Sequence, residues 1–258
     1  MNFTTAEIAQ YVAGFGWPWI RVTAMLLVAP MYSNTQVPVR VRVLLSLALT
    51  VAVLPAVDSV PAVDLLSLQA VLIAAQEVLL GVLIGLLLAM SLQAVTIAGE
   101  RMSMAMGLGF ATMVDPQSGI SVPMLSQFLL VLTSLLFLGL GGHLMLIELV
   151  AASFQTMPVA GAGLERADLL GVAAFGTQMF AGAVLLALPA VVALLVVQLA
   201  MGVMTRAAPQ MNIFSVGFPI TILLGFLAVL FLVLPALQPR MMQLWEIAFG
   251  AARRLVGG

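Results

Sequence analysis

Between Gly171 and Met204 the chain carries no Asp, Glu, Lys or Arg, and Pro189 sits in the middle of that stretch. A helix needs only about 20 residues to cross roughly 30 Å of hydrocarbon. A straight helix of this run would reach about 45–50 Å at 1.5 Å per residue. Pro189 lacks an amide hydrogen and is expected to kink or break it. An apolar segment too long for a bilayer has two readings. Either it tilts or re-enters the membrane, or the chain packs in a larger assembly whose other members supply part of its apolar surroundings.

The same tension recurs elsewhere. Hydrophobic runs fall at 12–30, 43–57, 66–98, 124–151, 171–204 and 218–236, and an amphipathic stretch from Arg240 to Arg254 follows with Trp245 and paired Arg253/Arg254. Breaks lie at 32–42, 58–64, 106–119, 165–168 and 205–212. The reading is an all-α membrane protein of about six long, partly kinked helices in hairpins, with a C-terminal amphipathic helix lying in the interface. The second run has only twelve residues before Pro55. Composition agrees: 63% of the 258 residues are hydrophobic and 7% are charged, against about 25% charged in soluble domains. Nine arginines, no lysine and ten acids leave no electrostatic case for nucleic acid. The N-terminus has no basic region and carries Glu7, so a cleaved signal peptide is not expected and the mature chain is expected to be the whole chain.

Arginine counts do not orient the chain. Cytoplasmic termini would put Arg166, Arg240, Arg253 and Arg254 inside, and external termini would put Arg40, Arg42, Arg101 and Arg206 there. Ordinary bundles show an asymmetry. The tie is a second sign of a chain that is not a plain bilayer bundle.

Charges within apolar runs are costly and mark functional sites or partners. Arg21 lies in the first run and Glu77 in the third. They could form an intramembrane ion pair or a proton site; the favoured expectation is that each meets a partner chain or a watery lumen. Glu77 shares a helix face with Gly81 and Gly85, a small-residue stripe that lets backbones approach closely. Gln198, Gly202 and Arg206 repeat the spacing in the fifth run. Both stripes are expected to serve helix packing and assembly.

Enzymatic chemistry finds little support. His143 is the lone histidine, Glu148 is poorly spaced to share a metal with it, and there is no cysteine. No phosphate-binding Gly-Lys-Ser/Thr motif occurs. No catalytic, cofactor or metal site is expected. The segment "MGLGFATMVDPQSG" at 106–119 is different: it is glycine-rich like a loop, yet oily. Five methionines fall between 101 and 124. Methionine fills irregular gaps pliably. Irregular backbone at membrane depth is tolerated only when it is buried in protein or lines a cavity. A soft apolar loop between long helices suits a stopper, because hydrophobic constrictions exclude water and ions.

The stretches "IRVTAMLLVAP" (20–30), "VPVRVR" (37–42), "AGERMSMAMGLGFATMVDPQSG" (98–119), "GGHLMLIE" (141–148) and "LALPAVVALLVVQLAMGVMTRAAPQMNIFSVGFPITI" (186–222) occur in this order. Together they resemble the FliR family of the flagellar type III export gate. The resemblance implies a subunit that joins FliP and FliQ in a helical cone in the bacterial inner membrane, at the flagellar basal body, with FlhB and FlhA on its cytoplasmic side. Unfolded flagellar proteins would leave through its pore. It further implies a FliP-like part at 1–170, a FliQ-like hairpin with the amphipathic tail at 171–258, and a pore-plugging loop at about 106–119. The plug residues would be Met106, Gly107, Leu108, Gly109, Phe110, Met113 and Val114, with Met106, Phe110 and Met113 as the sealing side chains by size and pliability. Glu100 and Arg101 would pair and hinge the loop, or be solvated in the lumen. Rival readings are the related gate of a virulence injectisome, a secondary transporter using Arg21 and Glu77, and an intramembrane enzyme. The absence of matched broken-helix repeats counts against the transporter.

Overall fold

Backbone amides and carbonyls in an apolar medium must find partners within their own segment, so long apolar runs become helices. A computed structural model describes residues 5–33, 37–57, 60–61, 63–64, 67–108, 123–161, 163–208 and 213–257. Among these the regular structure is helical: α1 (Thr5–Val28), α2 (Val39–Val53) with a 3-10 turn at Leu54–Ala56, α3 (Leu68–Ala105), α4 (Met124–Gly139), α5 (Gly142–Thr156), α6 (Arg166–Ala207), α7 (Ile213–Ala228) and α8 (Leu234–Leu255). A π segment, Val229–Val233, joins α7 to α8. Five helical stretches are long and apolar enough to span a membrane, and the α4–α5 pair makes a sixth if its two bent halves form one span.

Three expectations need correction. The run at 124–151 is two helices meeting at 63°. Gly141 ends the first with φ +76, a left-handed conformation that glycine adopts without a Cβ penalty. Pro189 does not break the fifth run, because α6 passes through it for 42 residues, about 63 Å. Losing one backbone bond is tolerable in so long a helix. The expected C-terminal amphipathic helix is present, but it is not set apart from the last run. It continues the last run as α8, and its apolar face, including Leu244, Trp245, Ala248, Phe249 and Ala252, is buried in protein. The bulge sits just before Pro235, which cannot donate to the carbonyl one turn back.

The contacts fall into two compact units, each assembled from separate stretches of chain. One holds residues 1–90, 137–176 and 245–258. Its core includes Trp17, Met25, Leu26, Leu80, Ile84, Leu87, Phe137, Phe154, Trp245 and Phe249. Phe137 meets Trp245 edge-on at 5.2 Å and stacks on Phe249 at 6.5 Å. The Phe137 ring also fills the space that a side chain at Gly142 would need, so the α4–α5 bend is packed shut by aromatics. The other unit holds residues 91–136 and 177–244. Its core includes Val95, Met102, Met106, Leu129, Leu194, Val233 and Leu237.

Candidate functional site

Arg21 and Glu77 meet each other. This overturns the expectation that each would face a partner chain or a lumen. Arg21 Nε donates to Glu77 Oε2 at 2.6 Å, and Nη2 donates to Oε1 at 3.0 Å. Nη1 donates to the carbonyl of Ser153 at 2.9 Å and to its Oγ at 3.0 Å. Nη2 donates again, to the carbonyl of Met157 at 2.9 Å. A guanidinium has five N–H groups, and these bonds use all five. The Phe154 ring lies 4.1 Å from the guanidinium carbon, adding a cation–π contact. Both charges are fully buried. The bidentate geometry and the carbonyls at the end of α5 make that burial sustainable. One side chain of α1 thus ties α3 and α5 together. The sequence offered no sign of Ser153 or Met157, since one of the two acceptors at Ser153 and the acceptor at Met157 are backbone oxygens.

The glycine stripe beside Glu77 serves the same packing. A Cβ at Gly81 would collide with the carbonyl of Arg21 and come 2.9 Å from Ala24 Cβ. At Gly85 it would come 2.7 Å from the carbonyl of Met25. The partner of this stripe is therefore α1 of the same chain.

The second stripe behaves otherwise. Gln198 donates through Nε2 to the carbonyl of Ala105 at 2.8 Å, within the second unit. Gly202 has nothing within 4 Å of the Cβ position, and Arg206 is exposed in the last turn of α6. Val184, Leu188, Val192, Leu195, Leu199 and Val203 form an exposed apolar face along α6.

Of the loop residues singled out, Met106, Gly107 and Leu108 are described; Gly109, Phe110, Met113 and Val114 lie outside the described residues. The helix α3 ends in a Schellman motif. Gly107 has φ +81, its amide donates to the carbonyl of Met104 at 3.0 Å, and the Leu108 amide donates to that of Ser103 at 3.0 Å. Met106 donates to Met102 at 2.9 Å, and Gln198 takes the Ala105 carbonyl. The last four carbonyls of the helix are thereby all satisfied. Met106 is fully buried, so it anchors the loop's root and is not a freely projecting side chain. Glu100 and Arg101 stand in helical residues before this motif, and among the described residues no ion pair joins them. The backbone reversal lies at Gly107 and not at this pair. Sequence reasoning missed Phe218 and Gly225 of α7, which contact Gly107 and Met106. A signal existed: Gly225 interrupts the apolar run 218–236, and a glycine inside a helical pattern points to close approach.

Residues 12–248 match the family described as Bacterial export proteins, family 1. The chain belongs to this family. Three relatives called "Flagellar biosynthetic protein FliR" illustrate the likeness. The one from Escherichia coli (strain K12) is 36% identical over 241 residues, covering 93% of this chain and 91% of the relative. The one from Pectobacterium carotovorum subsp. carotovorum is 35% identical over 239 residues, covering 93% and 91%. The one from Bacillus subtilis (strain 168) is 31% identical over 213 residues, covering 81% and 82%. The match to the bacterial export proteins takes in the Arg21 network, the loop and both stripes, so these features belong to the part shared with the family.

Proposed function

We propose that this chain is a membrane component of the flagellar export apparatus and one subunit of its export gate. In that gate it assembles with FliP and FliQ into the conduit by which unfolded flagellar proteins cross the inner membrane, with FlhB and FlhA at the cytoplasmic side. The FliP-like part is residues 1–170 and the FliQ-like hairpin with its tail is 171–258. The loop that begins at Met106 plugs the conduit at rest. Flagellar names on the relatives favour this over a virulence injectisome.

One observation carries the reading. The helix α6 is about 63 Å long, twice the hydrocarbon thickness, and most of its apolar side chains are exposed. Lipid can cover only about half of that face. The remainder calls for protein, as in a wall built from several chains. The open Gly202 is placed to admit a neighbouring helix at close range.

Deleting residues 108–114 tests the plug. The expected result is a membrane that leaks ions at rest while export continues. Unchanged resting conductance in the deletion strain would refute it. Purification in mild detergent tests the assembly: FliP and FliQ should accompany the chain, and recovery of a monomer alone would count against it.

A further inference from the structure

We infer that the start of α6 and the end of α8 form a site for a zwitterionic lipid headgroup, the phosphoethanolamine group, with its phosphate on Arg254 and its ammonium on Asp168. The site shares no residue with the loop or with either glycine stripe, and it does not depend on the plug.

A cavity of about 230 Å³ is lined by Ala167, Asp168, Gly171 and Val172 from the first two turns of α6, and by Arg254 and Leu255 from the last turn of α8. All of them belong to one compact unit. Residues 167 and 171, like 168 and 172, are four apart, so α6 offers a single face. The floor is apolar, since Val172 and Leu255 are buried. Gly171 keeps the space open: a Cβ there would meet nothing within 4 Å.

The two walls carry opposite charges that do not meet. Among the described residues no ion pair joins Asp168 to Arg254. Asp168 is half-buried, and its Oδ2 accepts from the Glu165 amide at 2.8 Å. That bond leaves capacity on a carboxylate with about four acceptor sites. Arg254 is exposed and presents a planar fork of donors suited to phosphate. A lone anion would be repelled by Asp168, and a lone cation by Arg254. A ligand that carries both charges close together satisfies both walls. The volume lies below the roughly 300–1,000 Å³ of pockets for drug-sized ligands and suits a group of about eight non-hydrogen atoms, the size of phosphoethanolamine. A primary ammonium donates hydrogen bonds to a carboxylate, whereas the quaternary nitrogen of choline has no hydrogen to donate.

Position along the chain names the source as lipid. Arg166 and Asp168 are the last charges before the stretch Gly171–Met204, which has none, and Arg253 and Arg254 close α8. The cavity stands where an apolar helix meets its first charges, the level of the headgroups. Leu169 and Leu170, next to Asp168, are exposed and offer an apolar surface to the acyl chains.

The test places the full chain, expressed with its partner chains, in nanodiscs of equal parts phosphatidylethanolamine, phosphatidylcholine and phosphatidylglycerol. Retained lipid is read by native mass spectrometry, and partner recovery is read alongside. The parent should retain phosphatidylethanolamine about tenfold over each of the others. Asp168→Asn keeps a helix-capping side chain and should lose the preference over phosphatidylglycerol. Arg254→Gln should lower phosphatidylethanolamine retention about tenfold. Gly171→Leu fills the cavity and should remove the bound lipid with partners still recovered. Asp168→Asn and Arg254→Gln add no bulk and carry the test if Gly171→Leu fails to assemble. Equal retention of the three lipids by the parent overturns the inference. So does a preference that survives both Asp168→Asn and Arg254→Gln, because the lipid then sits elsewhere. Soluble phosphoethanolamine bound as tightly as the lipid would also overturn it, since the source would then not be the membrane.

Discussion

Two helix stripes with the same spacing have opposite fates. Glu77, Gly81 and Gly85 on α3 are covered by α1, with the carbonyls of Arg21 and Met25 pressed against the glycines. Gln198, Gly202 and Arg206 on α6 leave Gly202 open and Arg206 exposed. The spacing says that a backbone can come close. It does not say whose backbone. The difference lies in what sits beside each stripe: a buried carboxylate demands a counter-charge, and the only arginine within an apolar run is Arg21 of the same chain. The second stripe has no such demand and is free to receive a neighbour.

Breaking the ion pair should have the largest effect. Glu77→Ala strands a buried guanidinium, which costs about 3–5 kcal/mol. The chain should be depleted from the membrane, and its unfolding midpoint in detergent should fall, even without partners; an unchanged midpoint would contradict the network. Arg21→Lys comes next. An ammonium has three donors and no planar fork, so it cannot reproduce five bonds, and about 2 kcal/mol should be lost. The two stripes can then be set against each other directly. Gly81→Leu should unfold the chain itself by about 1–3 kcal/mol of overpacking, or more because the obstacle is backbone. Gly202→Leu should leave the chain's own stability within about 0.5 kcal/mol while reducing co-purification of partners. Equal loss of chain stability in both would erase the contrast drawn here. Arg206→Ala should be the mildest, leaving chain levels unchanged and acting, if at all, on partner recovery.

Much of this was legible from residues alone. The apolar runs marked the helices, because a backbone in an oily medium has few alternatives. The glycines at 81 and 85 marked a close approach, and Gly107 marked the place where a helix stops. What escaped shares one physical cause: sequence spacing is local, whereas the missed partners are remote and partly backbone. Arg21 reaches carbonyls at Ser153 and Met157, which no side-chain pattern announces. Pro189 was overread because its penalty is small beside that of exposing a helix's remaining backbone. The bend at Gly141 was underread because its flanks are equally apolar, so hydropathy runs straight across it. The open stripe on α6 remained ambiguous because a face turned toward lipid and one turned toward a sister chain have the same composition.

The aromatic cluster at the α4–α5 bend has a consequence for synthesis. Phe137 is made more than a hundred residues before Trp245 and Phe249, its two ring partners. Until those two rings follow, that elbow lacks its aromatic partners. Replacing Trp245 and Phe249 by alanine would therefore unsettle a bend that lies far upstream in the chain.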